Sequence, residues 1–129
     1  MIVLDTHAWI WWVSDPARLG KGARRALDGA RRIGVPSICC LEVAALVARN
    51  RVTLDRPTLD WMQDALALPH VELVPLTPAV AVKASELPPT FPGDPADRVI
   101  VATAMLEAAT LATRDTLIRR SGIVRTIWS

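Results

Sequence analysis

The run Asp94-Pro95-Ala96-Asp97-Arg98-Val-Ile-Val-Ala-Thr-Ala104 sets two carboxylates, three residues apart, at the head of an almost wholly apolar stretch. Asp94 reads as a helix N-cap, Pro95 as the first helical residue and Asp97 as the third. From Val99 to Leu106 hardly a polar side chain appears, so the helix must be largely buried. Its acidic start is either a well-made cap or one wall of a cation site. The rest of the chain has to decide between them.

The other segments supply what could bury it. Ile2-Val3-Leu4 is a short apolar run ending at Asp5 and predicts a buried first strand. Thr6 to Val13 is apolar and Trp-rich, broken by Ser14-Asp15-Pro16. Lys21 to Arg32 predicts an amphipathic helix with Arg on its outer face, and Ile33 to Pro36 a weak strand. Ser37 is placed to cap a helix over Ile38 to Arg49, which Asn50 ends. A helix from Leu54 to about Leu68, a strand over Val71 to Leu76 and a helix from Thr77-Pro78 through Leu87 come next. Pro88 to Gly93 is a stiff loop. The buried helix runs from Pro95 to about Ala108. Then come a strand over Thr110 to Thr113, ending at Asp115, a short helix over Thr116 to Arg120 and a last strand near Ile123 to Ile127. Strands separated by helices predict an α/β domain with a mostly parallel sheet.

Composition narrows the class. The 129 residues suit a single domain spanning 1–129, and with 51% hydrophobic residues the chain is not disordered. No apolar run is long enough for a membrane span, and no leader pattern opens the chain, so a cytoplasmic location is expected. Cys39 and Cys40 are adjacent inside a helical pattern, which suits packing in a reducing compartment. Net charge is only +2, but all fifteen basic residues except Lys21 and Lys83 are Arg. Guanidinium groups suit phosphate contacts; solvated faces are the plain alternative.

In an open parallel sheet, ligands bind beyond the carboxyl ends of the strands. Asp5 follows the first strand and Asp115 the Thr110 strand, while Asp94 and Asp97 start the helix that feeds that strand. Glu42 shares a helix face with Ile38 and Leu46, and a carboxylate on an apolar stripe is costly unless paired or metal-bound. Each acid has a structural alternative. Asp5, Asp94 and Asp115 could be caps, Asp97 part of a capping box, and Glu42 a partner of Arg49 or Arg98. Gathered in one pocket, the acids would raise one another's pKa values unless a cation neutralised them. All-oxygen ligands favour Mg2+ or Mn2+ over zinc.

These residues resemble a known family. The chain is similar, nearly end to end, to PIN domains, and among them to the VapC-type toxins of toxin–antitoxin pairs. The resemblance rests on Val3-Leu4-Asp5-Thr6-His7-Ala8, Cys40-Leu41-Glu42-Val43-Ala44, Asp94 to Ala104, Leu111-Ala112-Thr113-Arg114-Asp115 and Val124 to Trp128. It implies a three-layer α/β/α sandwich around a parallel sheet ordered 3-2-1-4-5, with Asp5 beside Asp115. It implies that Asp5, Glu42, Asp97 and Asp115 are the catalytic, metal-binding acids, with Asp94 and Thr113 in support. Leu41 departs from the large apolar residue, often Trp, that precedes this Glu in the most similar subgroup.

The activity so implied is a Mg2+- or Mn2+-dependent endoribonuclease using metal-activated water, leaving 5′-phosphate and 3′-hydroxyl ends. Arg98 and Arg114, each beside a proposed ligand, are candidate RNA contacts, though Arg98 could equally neutralise the acids. A homodimer and a cognate antitoxin are the implied partners. Trp9, Trp11 and Trp12 could stack on bases, but Trp9 and Trp12 share a helix face, which favours core or dimer packing. The rival readings are an RNA-binding PIN-like domain that does not cut and a Mg2+-binding receiver module. The receiver would need a Lys after a late strand, where the chain has none.

Overall fold

The computed structural model describes residues 1–91 and 93–129. It contains strands β1 (Ile2–Leu4), β2 (Ile33–Pro36), β3 (Val71–Val74), β4 (Thr110–Ala112) and β5 (Thr126–Ile127). The helices among the described residues are α1 (Thr6–Ser14), α2 (Lys21–Gly29), α3 (Ile38–Ala48), α4 (Thr58–Leu66), α5 (Pro78–Glu86), α6 (Pro95–Leu106) and α7 (Thr116–Ser121), with a 3-10 turn at Pro16–Arg18. The strands form one five-stranded sheet, ordered β3-β2-β1-β4-β5, and every pairing is parallel. Helices cover it as a three-layer sandwich. β2 is buried at every position, as expected for a central parallel strand covered on both faces.

β1 and β4 lie side by side, with Leu4 opposite Ala112, and the Asp5 N–H extends the ladder to the Ala112 carbonyl at 3.2 Å. From β1 the chain winds outward to β2 and β3, and from β4 it winds the other way to β5. The crevice between β1 and β4 is therefore the switch point where such sheets bind ligands.

α6 is buried as its sequence demanded. Ile100, Val101, Ala102, Thr103 and Ala104 are all at most 1% exposed. Each large apolar side chain among them contributes about 1.5–3 kcal/mol by leaving water. The Thr103 hydroxyl donates to the Val99 carbonyl, so its one polar group is satisfied inside the helix. Trp9 is fully buried and packs edge-on against Trp61 at 5.0 Å, while Trp12 is half-buried.

Several expected boundaries move. α2 ends at Gly29, leaving Arg31 and Arg32 beyond it, and Arg32 pairs with Glu72 at the start of β3. Ser37 makes no side-chain cap for α3. Its N–H still pairs with the Val74 carbonyl, and its hydroxyl accepts from the Leu76 N–H. The neighbouring strand thus takes the groups that a cap would use. Asn50, at φ 56°, follows α3 in the left-handed conformation its side chain tolerates. α4 starts at Thr58, after Pro57, and β3 and β5 are shorter than expected. Pro92, within the expected Pro88 to Gly93 loop, lies outside the described residues. Among the described residues, no helix is long and apolar enough to cross a membrane.

Candidate active site

Asp5, Glu42, Asp94, Asp97 and Asp115 all line one cavity of about 350 Å³ at the carboxyl edge of the sheet. They arrive by separate routes. Asp5 ends β1 and caps α1, accepting from the Ala8 N–H at 2.9 Å. Asp115 follows β4 and caps α7, accepting from the N–H groups of Leu117 and Ile118. Asp94 caps α6 through the Asp97 N–H at 3.0 Å. Three of the acids are therefore helix caps as well as cavity walls, so the two readings of each are compatible. Cap bonds orient the carboxylates and give each a nearby helix N-terminus, which favours negative charge.

Asp97 is the exception. Its carboxylate caps no helix, and burial pushes its pKa up to about 6, with the carboxylates of Asp94, Glu42 and Asp115 adding to the rise and a backbone hydrogen bond from Asp94 opposing it. Burial likewise raises Asp5, opposed by hydrogen bonds from Thr113 and the Ala8 N–H. Glu42 sits one turn into α3, on a face with Leu46, and accepts a hydrogen bond from the Thr6 hydroxyl. It pairs with neither Arg49 nor Arg98. The described ion pairs are Arg32–Glu72 and Arg56 with Asp55 and Asp64, and none involves a cavity acid.

The Thr113 hydroxyl bridges two of these acids. It accepts from the Asp115 N–H at 3.1 Å and bonds to the Asp5 carboxylate, and the residue is fully buried. Thr113→Val keeps the shape and removes both bonds. The loss should destabilise the fold by about 1–3 kcal/mol, because the Asp115 N–H loses its partner. Denaturant unfolding would show this, and an unchanged midpoint would mean that the bridge contributes nothing.

The two candidate arginines part company. Arg114 lines the cavity, with its guanidinium carbon 4.6 Å from the centre of the Trp11 ring. Arg98 is placed elsewhere. Its guanidinium donates to the carbonyls of Ala84, Leu87, Pro88 and Phe91 and lies 5.7 Å from the Phe91 ring. Those bonds tie the loop before α6 to the helix and engage both terminal nitrogens of the guanidinium, and Arg98 neither pairs with a cavity acid nor lines the cavity. Leu41, the departure in the Glu42 motif, is 66% exposed, so a smaller side chain there leaves no hole in the core.

Thr6, His7 and Trp11 also line the cavity, and no role was read for Thr6 or His7 in the sequence. Thr6 had a local signal: it follows Asp5 directly, so its hydroxyl had to emerge at the same sheet edge. Trp11 follows His7 by four residues on one helix face, and their rings lie 5.5 Å apart.

The donor set fits a hard divalent cation: carboxylate oxygens, those of Asp5 and Asp97 raised in pKa chiefly by burial, with no ion-paired cation among them. The acids surround the cavity without converging. Among the described residues, no three His, Cys, Asp or Glu groups stand close enough to form a ready-made ion site. Lys21 and Lys83 are on α2 and α5 and do not line the cavity, so the lysine of a receiver module has no counterpart.

The sheet is parallel and ordered 3-2-1-4-5, and carboxylates gather where β1 meets β4, so the protein is an open α/β domain with an acidic cavity at its switch point. The chain belongs to the PIN domain family, whose model matches residues 2–123. It is 40% identical over 129 residues to Ribonuclease VapC22 of Mycobacterium tuberculosis, covering 98% of each chain. Its fold matches the VapBC2 structure from Rickettsia felis, solved with a promoter DNA fragment, at TM-score 0.75 and 17% identity over 100% of both chains. It also matches FitAcB from Neisseria gonorrhoeae at TM-score 0.67 and 24% identity, over 98% of this chain and 96% of that one.

Proposed function

We propose that this chain is a divalent-cation-dependent endoribonuclease and the toxin of a toxin–antitoxin pair. One observation carries the reading: four acids from four different elements line one cavity, and none is ion-paired among the described residues. Its similarity to Ribonuclease VapC22 supports the substrate class. Structural neighbours described as toxin–antitoxin complexes support an antitoxin partner. A homodimer acting on RNA in the cytoplasm completes the reading.

In this proposal Asp5, Glu42, Asp97 and Asp115 hold Mg2+ or Mn2+. A divalent cation supplies Lewis acidity, making water nucleophilic at neutral pH and offsetting charge on the phosphate. The protein's part is to aim the carboxylates. The cap bonds of Asp5 and Asp115 fix two of them, the Thr113 hydroxyl sets their spacing, and the Thr6 hydroxyl orients Glu42. Asp94 holds the start of α6, so Asp97 projects from a buried, rigid helix.

Water as nucleophile leaves 5′-phosphate and 3′-hydroxyl ends. Induction of the parent chain should stop growth and create new cellular RNA 5′-phosphate ends, while an Asp97→Asn chain should do neither. New ends carrying 2′,3′-cyclic phosphate would overturn the mechanism, because they require attack by the ribose 2′-hydroxyl. RNA binding with no new ends from the parent would favour the alternative, a PIN-like domain that binds RNA without cutting it.

A further inference from the structure

We propose that Arg114 and Arg18, both held against the indole of Trp11, form a phosphate-binding rim over which the RNA backbone leaves the carboxylate cavity. The inference rests on the ribonuclease reading and adds a direction to it. Trp11 is only 6% exposed, yet it lines the cavity. Its ring is fixed by Trp128 at 5.9 Å and flanked by His7 at 5.5 Å. Two guanidinium carbons lie against it, that of Arg114 at 4.6 Å and that of Arg18 at 5.1 Å. Both arginines are exposed, and neither takes part in a described ion pair.

Cations that could pair with nearby acids are here kept on an aromatic support. A ring attracts a guanidinium through charge and flat shape, and leaves edge N–H groups available for phosphate oxygens. The support also removes side-chain freedom before a ligand arrives, so less is lost on binding. The charge layout calls for such a feature. A cavity walled by carboxylates repels a polyanion away from the cation site, so cations beside it must offset that repulsion. Arg114 precedes Asp115 and lines the cavity; Arg18 ends the 3-10 turn, outside the lining. The positive path therefore runs from Asp115 through Arg114 and Trp11 to Arg18. On the α5 side, both terminal nitrogens of the Arg98 guanidinium are already held by backbone carbonyls. RNA is favoured over an acidic protein segment because the path is continuous with the catalytic acids.

The test uses full-length chain carrying Asp97→Asn, which removes cleavage, and a short fluorescein-labelled single-stranded RNA of mixed sequence. Binding is measured across a salt series. Arg18→Ala and Arg114→Ala should each lower the slope of log affinity against log salt by about 0.7, and the double variant by about twice that. Arg24→Ala, an exposed position on α2, should leave the slope unchanged. Trp11→Leu should weaken binding as the arginine variants do, whereas Trp11→Phe should keep most of it. Should Trp11→Leu fail to fold, the exposed arginine variants still decide the matter. Unchanged slopes for both arginine variants, in a chain that does bind RNA, would overturn the rim and leave the ribonuclease reading standing. A parent chain that neither binds nor cuts RNA would overturn both. Intact RNA slopes with weakened binding of the antitoxin would assign the rim to that protein instead.

Discussion

Asp97→Asn should abolish cleavage and, without added metal, make the protein more stable at neutral pH. The two effects have one cause. Burial and the carboxylates of Asp94, Glu42 and Asp115 raise the Asp97 pKa from 3.8 to about 6. The folded protein then holds a proton that the unfolded chain has released, so stability falls as pH rises from about 4 through about 6. With the half-buried position screened by solvent, the penalty above that range is on the order of 1–2 kcal/mol. Asparagine carries no charge and escapes it. Thermal unfolding at acidic and mildly alkaline pH should show a larger drop for the parent than for the variant. Added Mg2+ should raise the melting temperature of the parent by mass action and move the variant much less. A variant that still cut RNA with Mg2+ dependence would remove Asp97 from the site.

Gly93→Ala should damage both fold and activity from a position that carries no chemistry. Gly93 has φ of +114°, where a side chain is strained, and an added Cβ would stand 2.8 Å from the Asp97 Cβ and 3.0 Å from its Oδ2. The backbone strain alone costs about 1–3 kcal/mol. The contact adds a second effect, because relief requires moving the Asp97 carboxylate, and a displacement of about 1 Å at a reacting group can cost 100-fold in rate. Gly122→Ala separates the two. It too has positive φ, 69°, but nothing lies within 4 Å of its added Cβ. Gly122→Ala should lose stability and keep its turnover rate; Gly93→Ala should lose both. Equal turnover in the two variants would mean that Gly93 does not constrain Asp97.

The elements that announced themselves in the sequence were those with local causes. Asp94-Pro95 and Thr77-Pro78 open helices by side-chain caps that need no neighbour, and both form. Ser37 offered the same local signal, and its groups bond to Val74 and Leu76 across the sheet instead. The end of α2 at Gly29 followed a breaker within the segment, yet Arg32 beyond it was placed by Glu72 on another strand.

The same division holds at the site. The acids at strand ends and helix starts could be picked out because the carboxyl edge of a parallel sheet is where such residues meet. Whether Arg98 or Arg114 faced the acids could not be read, since each simply adjoins one of them in the chain. The indole that carries Arg114 comes from the other end of the chain, and the four carbonyls that hold Arg98 come from the end of α5 and the loop before α6, which meet it only when that loop folds back on the helix.

What the chain determines by itself is the alternation of strands and helices, the buried α6 and the acids at its head, because periodicity and capping act within a few residues. Only the tertiary structure decides that Asp97 is half-buried among three other carboxylates with a raised pKa, that Thr113 joins Asp5 to Asp115, and that Trp11 carries two arginines at the rim. Those outcomes depend on burial and on charges that approach one another only when the sheet is assembled.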